Sequence, residues 1–314
     1  MNYLIEGGIT LVKEHLAMKK LILFVVIIYI CCFSIAISAS FEETKHAAEQ
    51  GDASAQYSLG HYYYLQQDYK QCKEWSEKAA EQGHVDAQIE LGLWYYWGED
   101  ADQDYQKARQ WFEKAADKGS ADAQFFLGKL YEEGQGVAQD YQKASQLYEE
   151  AAAQGNINAQ IGLGSLYYLG QGVERDYHKA RKYWEKAADK GSAGAQFNLG
   201  ILYENGQGVN QDYYKAKQLY EKAARHEHAG AQSRLGALYY SGHGVRQDYH
   251  KAWQWWKKAA DQGYVGAQYS LGVLYEEGKG VQQNRATAKE WYGKACDNGF
   301  QGGCDAYARL NTAR

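Results

Sequence analysis

Proline is absent from all 314 residues, so nothing removes an amide donor or clashes with a preceding helical turn. Neither sign of charge dominates: 34 basic residues interleave with 39 acidic ones, for a net charge of −5. No basic stripe exists to neutralise phosphates, which excludes nucleic acid as the expected partner. Gly-x-Ser-x-Gly, Ser-x-x-Lys, His-Glu-x-x-His, phosphate-loop and dinucleotide fingerprints are all missing. The chain is therefore expected to be non-enzymatic, with no catalytic residues and no cofactor. Nine histidines are present but lack zinc-ligand spacing. His178 and His250 fall on the solvent side of a helix, and His226 and His228 in a turn. All four are expected as surface residues, and no metal site is expected.

What is present is a repeat. Ala-Gln-x-x-Leu-Gly recurs at Ala55, Ala87, Ala123, Ala159, Ala195, Ala231 and Ala267, first after 32 residues and then every 36. A fixed period of this size marks a solenoid, whose units bury apolar surface only by stacking. This overrides the two-domain expectation that length alone gives.

Within one unit, Ala123, Leu127, Leu130 and Tyr131 form the apolar stripe of a first helix, A, over 120–133. Gly128 borders that stripe and permits close approach of a neighbour. Gly134-Gln135-Gly136-Val137 makes a turn, and Asp140 stands as the N-cap of a second helix, B, over 141–153, closed by Gly155. Caps recur at Asp68, Asp104, Asp176, Asp212, Asp248 and Asn284. One core slot of helix B holds Phe112, Tyr148, Trp184, Tyr220, Trp256 and Tyr292, but Ser76 in the first unit. Cys72 takes an alanine slot and is expected as a buried free thiol. Glu227 replaces the turn glycine, so that turn either bears left-handed strain of about 1–2 kcal/mol or changes shape.

The first 40 residues stand apart. Met18-Lys19-Lys20, the apolar run Leu21–Ile37 and Ser38-Ala39-Ser40 describe a signal peptide starting at Met18, with residues 1–17 an over-extended frame. An uncleaved membrane anchor is the alternative, and the only membrane contact expected is through this segment. Ile30 before Cys31 argues against a lipoprotein at Cys31 or Cys32. The domain division is 1–40 for the extension and signal, then 41–314 for the solenoid. Export to the periplasm or outside the cell is expected.

The units resemble the Sel1-like repeat family, a branch of the tetratricopeptide group. The resemblance rests on Ala195, Leu199, Gly200 and Tyr203, on Gly206, Gly208 and Val209, on Asp212, Lys215 and Ala216, and on Tyr220, Lys222, Ala223 and Ala224. It covers about residues 42–310. A 36-residue period without proline sets the chain apart from ordinary 34-residue tetratricopeptide units. It implies an all-α, right-handed α/α superhelix of about seven antiparallel hairpins with a C-terminal cap. Scaffolding of protein complexes is the implied role, in bacteria also envelope regulation and host contact. Cysteine-rich relatives pair cysteines across the inter-unit turn where Cys296 and Cys304 lie, so a disulfide is expected in an exported chain. Two free thiols are the alternative. β-Lactam hydrolysis, ascribed to such relatives, is the competing function, with a peptide- or glycan-binding module as a third.

In a hairpin solenoid helix A lines the concave side. Slots outside its core stripe vary from unit to unit, and they place Tyr64, Tyr96, Trp97, Phe126, Tyr168, Arg234 and Tyr240 along a groove for a protein or peptide partner. The competing expectation is that Tyr64, Tyr96, Tyr168 and Tyr240 pack between adjacent helices. The protein is expected to be a monomer.

Overall fold

A computed structural model describes residues 40–98 and 103–312. The expected signal peptide, its start at Met18, and Cys31 and Cys32 lie outside the described residues. Among the described residues the fold is all-α, with sixteen helices and no strand. None of these helices is long and apolar enough to cross a membrane.

Two compact units divide at Lys118–Gly119. The first holds helical residues 40–49 (α1), then α2 (Ala53–Leu65), α3 (Tyr69–Glu81), α4 (Val85–Trp97) and α5 (Tyr105–Ala116). The second holds α6 (Ala121–Glu133), α7 (Tyr141–Ala153), α8 (Ile157–Leu169), α9 (Tyr177–Asp189), α10 (Ala193–Asn205) and α11 (Tyr213–Arg225). It continues through α12 (Ala229–Ser241), α13 (Tyr249–Asp261), α14 (Val265–Glu277), α15 (Arg285–Asp297) and α16 (Gln301–Thr312). Even-numbered helices are the A helices and odd-numbered ones the B helices. From α2 to α15 each A helix pairs with the B helix after it, and within a unit each B helix packs on the next A helix.

Local chemistry explains the element ends. Asp68, Asp104, Asp140, Asp176, Asp212, Asp248 and Asn284 each accept a backbone N–H of the B helix they precede. Their own amides donate back to the A helix, as from Asp68 to the Tyr63 carbonyl at 3.0 Å and from Asp140 to the Tyr131 carbonyl at 2.9 Å. That bond fixes the two strands of the turn. A helices carry caps as well: Ser120, Asn156 and Ser192, but also His84 and His228, whose Nδ1 atoms accept from Ala87 and Ala231. His228 is thus a half-buried cap stacked on Phe197 at 4.6 Å, not a surface histidine. Burial holds its pKa below the ordinary histidine value. Glu227 keeps the left-handed turn, with φ of 58° where its glycine counterparts lie between 84° and 96°. The strain is borne.

The core is built from alanine and leucine on the paired faces plus, in every hairpin after the first, a B-helix aromatic in the slot of Tyr148. Gly128 permits this packing, because a Cβ there would stand 2.8 Å from the Tyr148 ring. A feature the sequence reading missed is the glutamine of Ala-Gln. Gln56, Gln88, Gln124, Gln160, Gln196, Gln232 and Gln268 are all buried. Where the preceding turn offers a carbonyl, the amide donates to it, as Gln88 does to Ala80 at 3.0 Å. The amide oxygen is met from the next B-helix end wherever a side-chain amide stands there: Gln82, Gln154, Gln262 and Asn298 donate to Gln56, Gln124, Gln232 and Gln268. At Lys118 and Lys190 the ammonium instead reaches the carbonyls of Gly83 and Gly155. His226 occupies the corresponding position after α11. The oxygens of Gln88, Gln160 and Gln196 accordingly have no hydrogen-bond partner.

Candidate functional site

The seven residues expected to line a groove divide by environment. In the first unit Trp97 and Tyr64 are exposed, at 57% and 44%. Tyr96 follows the competing expectation of packing: only 3% of it is exposed, and its ring lies edge-on against Trp97 and Tyr105 at 4.8 and 5.4 Å. It offers a partner nothing. The border angle of its slot turns it toward the start of α5, and Tyr105 closes over it. Tyr64 meets Tyr69 edge-on at 5.8 Å and His61 at 6.2 Å, and its own hairpin has Ser76 where an aromatic would stand.

In the second unit Arg234 is exposed on α12, with its guanidinium 3.4 Å from Glu204. Phe126 is half-buried edge-on to Phe125 at 5.1 Å. Tyr168 and Tyr240 are half-buried and held on several sides. Tyr168 packs on Tyr177 and Trp184 and donates to Gln207 at 2.9 Å. Tyr240 packs on Tyr249 and Trp256, donates to Glu277, and accepts from the Lys279 ammonium at 3.1 Å. Those ion and phenol partners raise the Lys279 pKa.

These slots follow a pairing rule. Where helix B carries tyrosine, helix A presents glutamate: Tyr148, Tyr220 and Tyr292 donate to Glu132, Glu204 and Glu276, the last at 2.8 Å. A phenol buried that deeply requires an acceptor, and burial followed by the Glu204 hydrogen bond pushes the Tyr220 pKa up. Where helix B carries tryptophan, the indole N–H goes to a backbone carbonyl, Trp184 to Ile161 at 3.1 Å and Trp256 to Ser233 at 3.0 Å. Helix A then presents Tyr168 or Tyr240 to cover the indole face. Their slot is thus partly structural.

The first unit holds a buried polar cluster. Ser76 and Cys72 lie 3.2 and 3.7 Å from the Glu90 carboxyl. Cys72 is a free, fully buried thiol. Burial, reinforced by Glu90, pushes its pKa up to about 12, so it supplies no thiolate at neutral pH. Burial likewise raises the Glu90 pKa. Among the described residues no group of three His, Cys, Asp or Glu could hold a metal ion. The sulfurs of Cys296 and Cys304 are joined, 1.95 Å apart, across the turn between α15 and α16.

Seven Sel1 repeats match the chain, at 53–84, 85–120, 121–156, 157–192, 193–228, 229–264 and 265–300. A protective antigen of uropathogenic Escherichia coli with an SLR fold is similar over 86% of this chain, at 38% identity and a TM-score of 0.74. The match covers 59% of that antigen. A Sel1 repeat protein from Oxalobacter formigenes is similar over 87% of this chain and 80% of its own, at 32% identity and a TM-score of 0.71. No functionally curated protein matches. The chain belongs to the Sel1 repeat family.

Proposed function

We propose that this protein is an exported, non-enzymatic scaffold that binds a protein or peptide partner through the helix A faces of its hairpins. Sel1 repeat proteins generally serve as protein–protein interaction scaffolds. The observation that carries the reading is the exposure of Trp97, together with Tyr64 and Arg234, in slots that vary between repeats. The Trp97 ring is 57% exposed, and tryptophan, tyrosine and arginine dominate binding hot spots. Tyr96 drops out of the contact set, and Phe126, Tyr168 and Tyr240 contribute their exposed edges. Export to the periplasm or beyond is supported by the signal-like segment 18–40 and by the Cys296–Cys304 bond.

Crosslinking in the native cell, with Trp97→Ala and Arg234→Glu beside the parent, tests this. Both variants are expected to fold as the parent does and to lose the same captured protein. Capture unchanged by either substitution sinks the helix A assignment. Mass spectrometry of the mature protein is expected to find its N-terminus at residues 39–41, and an intact start in a cytosolic fraction refutes export.

A further inference from the structure

On five B helices, an aromatic residue is followed one turn later by a lysine that covers its ring. Lys78 lies over Trp75 and Lys114 over Trp111, each at 3.8 Å. Lys186 lies over Tyr183 at 5.8 Å, Lys258 over Trp255 at 4.6 Å, and Lys294 over Trp291 at 4.2 Å. In α11 the same register reads Leu219 and Lys222. The lysine is kept, but the ring is not.

A cavity of about 190 Å³ opens at that place between α9, α10 and α11, lined by Leu219, Lys222, Tyr203, Leu199 and Gln196. Gln196 closes its inner end, being 6% exposed. One hairpin earlier, Tyr183 fills the matching space by lying parallel to Tyr167, with centroids 6.0 Å apart and planes 5° from parallel. Tyr203 is the repeat counterpart of Tyr167. In α7, which also carries leucine in this slot, the lysine position holds Glu150. There Glu150 and Gln154 satisfy both ends of the Gln124 amide. The α10–α11 hairpin thus keeps the floor and the cation of an aromatic site while supplying no ring of its own.

The geometry points to a binding site for one aromatic ring of the size of a phenol or an indole. The ring lies on Tyr203, and Lys222 sits over its face. Size permits it, since an apolar cavity of about 150 Å³ accommodates benzene. No residue assigned to the helix A surface lines the cavity, so this site stands or falls separately from the partner-binding proposal.

Indole and phenol, titrated into the full mature chain while the Leu199 and Leu219 methyl resonances are followed, provide the test. Saturable shifts in the millimolar range are expected, with cyclohexanol, which offers the ammonium no aromatic face, binding severalfold more weakly. Leu219→Trp supplies the ring internally and is expected to abolish binding. Lys222→Ala, a change at an exposed side chain, is expected to weaken binding severalfold, and it keeps the test decisive should Leu219→Trp fail to fold. N-acetyl-tryptophanamide distinguishes the sources. Binding of it as well as indole identifies a side chain of a partner peptide, and binding of indole alone identifies a free aromatic molecule. Absence of saturable shifts, or shifts undiminished in both variants, overturns the site.

Discussion

Two single residues depart from the repeat in ways that stability measurements can read. Glu227 adopts a φ of 58° at a turn where other units use glycine. A side chain in that region costs about 1–2 kcal/mol, and glycine returns roughly 0.5–1 kcal/mol of that through the entropy of the unfolded chain. Glu227→Gly is therefore expected to stabilise by about 0.5–1 kcal/mol, read as a raised denaturant midpoint, and a lowered midpoint contradicts the strain. His228 caps α12 through Nδ1, which must be unprotonated to accept the Ala231 amide at 3.2 Å. Its folded pKa lies below its unfolded value, so the folded state binds protons less readily. Stability from this group is complete above about pH 6.5 and is lost as pH falls below it toward the folded pKa. Asparagine does the same capping work at Asn156 without titrating in this range. His228→Asn is expected to lose less stability than the parent between pH 7.5 and 5, and equal losses would refute the capping account.

At the scale of elements, helix boundaries, caps and the alanine–leucine core were legible because they depend on residues within one repeat. The expected helix B over 141–153 is α7, and α6 starts one residue later than expected. What stayed hidden depends on two elements at once. The alternation of Glu132, Tyr168, Glu204, Tyr240 and Glu276 looked like surface variation because its partner column lies on the other helix. Read together, phenol selects carboxylate and indole selects tyrosine. Packing of Tyr96 stood only as an alternative, and the burial of the Ala-Gln glutamines was hidden, for the same reason, since Tyr105 and the B-helix ends that decide them lie outside the helix being read. The pairing predicts a double-mutant cycle. Tyr220→Trp removes the donor to Glu204, and Glu204→Tyr removes the acceptor for Tyr220, so each alone is expected to cost about 1–3 kcal/mol. The double variant recreates the Tyr168–Trp184 pair and is expected to recover at least about 1 kcal/mol of the summed loss. Strict additivity would show that the columns are independent. By the same logic Tyr168→Ala exposes the Trp184 face and lowers thermal stability, whatever it does to partner binding.

Across the whole molecule, stability depends on how many neighbours each hairpin has, because a solenoid is held by nearest-neighbour interfaces. Among the described residues α16 packs on α15 and no later helix covers it. Two links compensate. Arg309 on α16 makes a bidentate pair with Glu276 on α14, at 2.6 and 2.7 Å, and chiefly this hydrogen bonding holds the Glu276 pKa below the usual carboxylate range. Arg309 is solvent-exposed, so screening leaves that pair a modest contribution. The Cys296–Cys304 bond acts differently. It spans eight residues, and the loop-entropy estimate for so short a closure is about 2–3 kcal/mol. That free energy bears on local opening of α16, because both cysteines move together only when α15 itself unfolds. Reduction of the bond, or Cys296→Ser with Cys304→Ser, is expected to speed amide exchange in α16 roughly 30- to 150-fold while leaving α10 to α13 unchanged. A uniform acceleration along the chain would mean that the bond supports global folding, and no acceleration would mean that the helix interface and Arg309 already suffice.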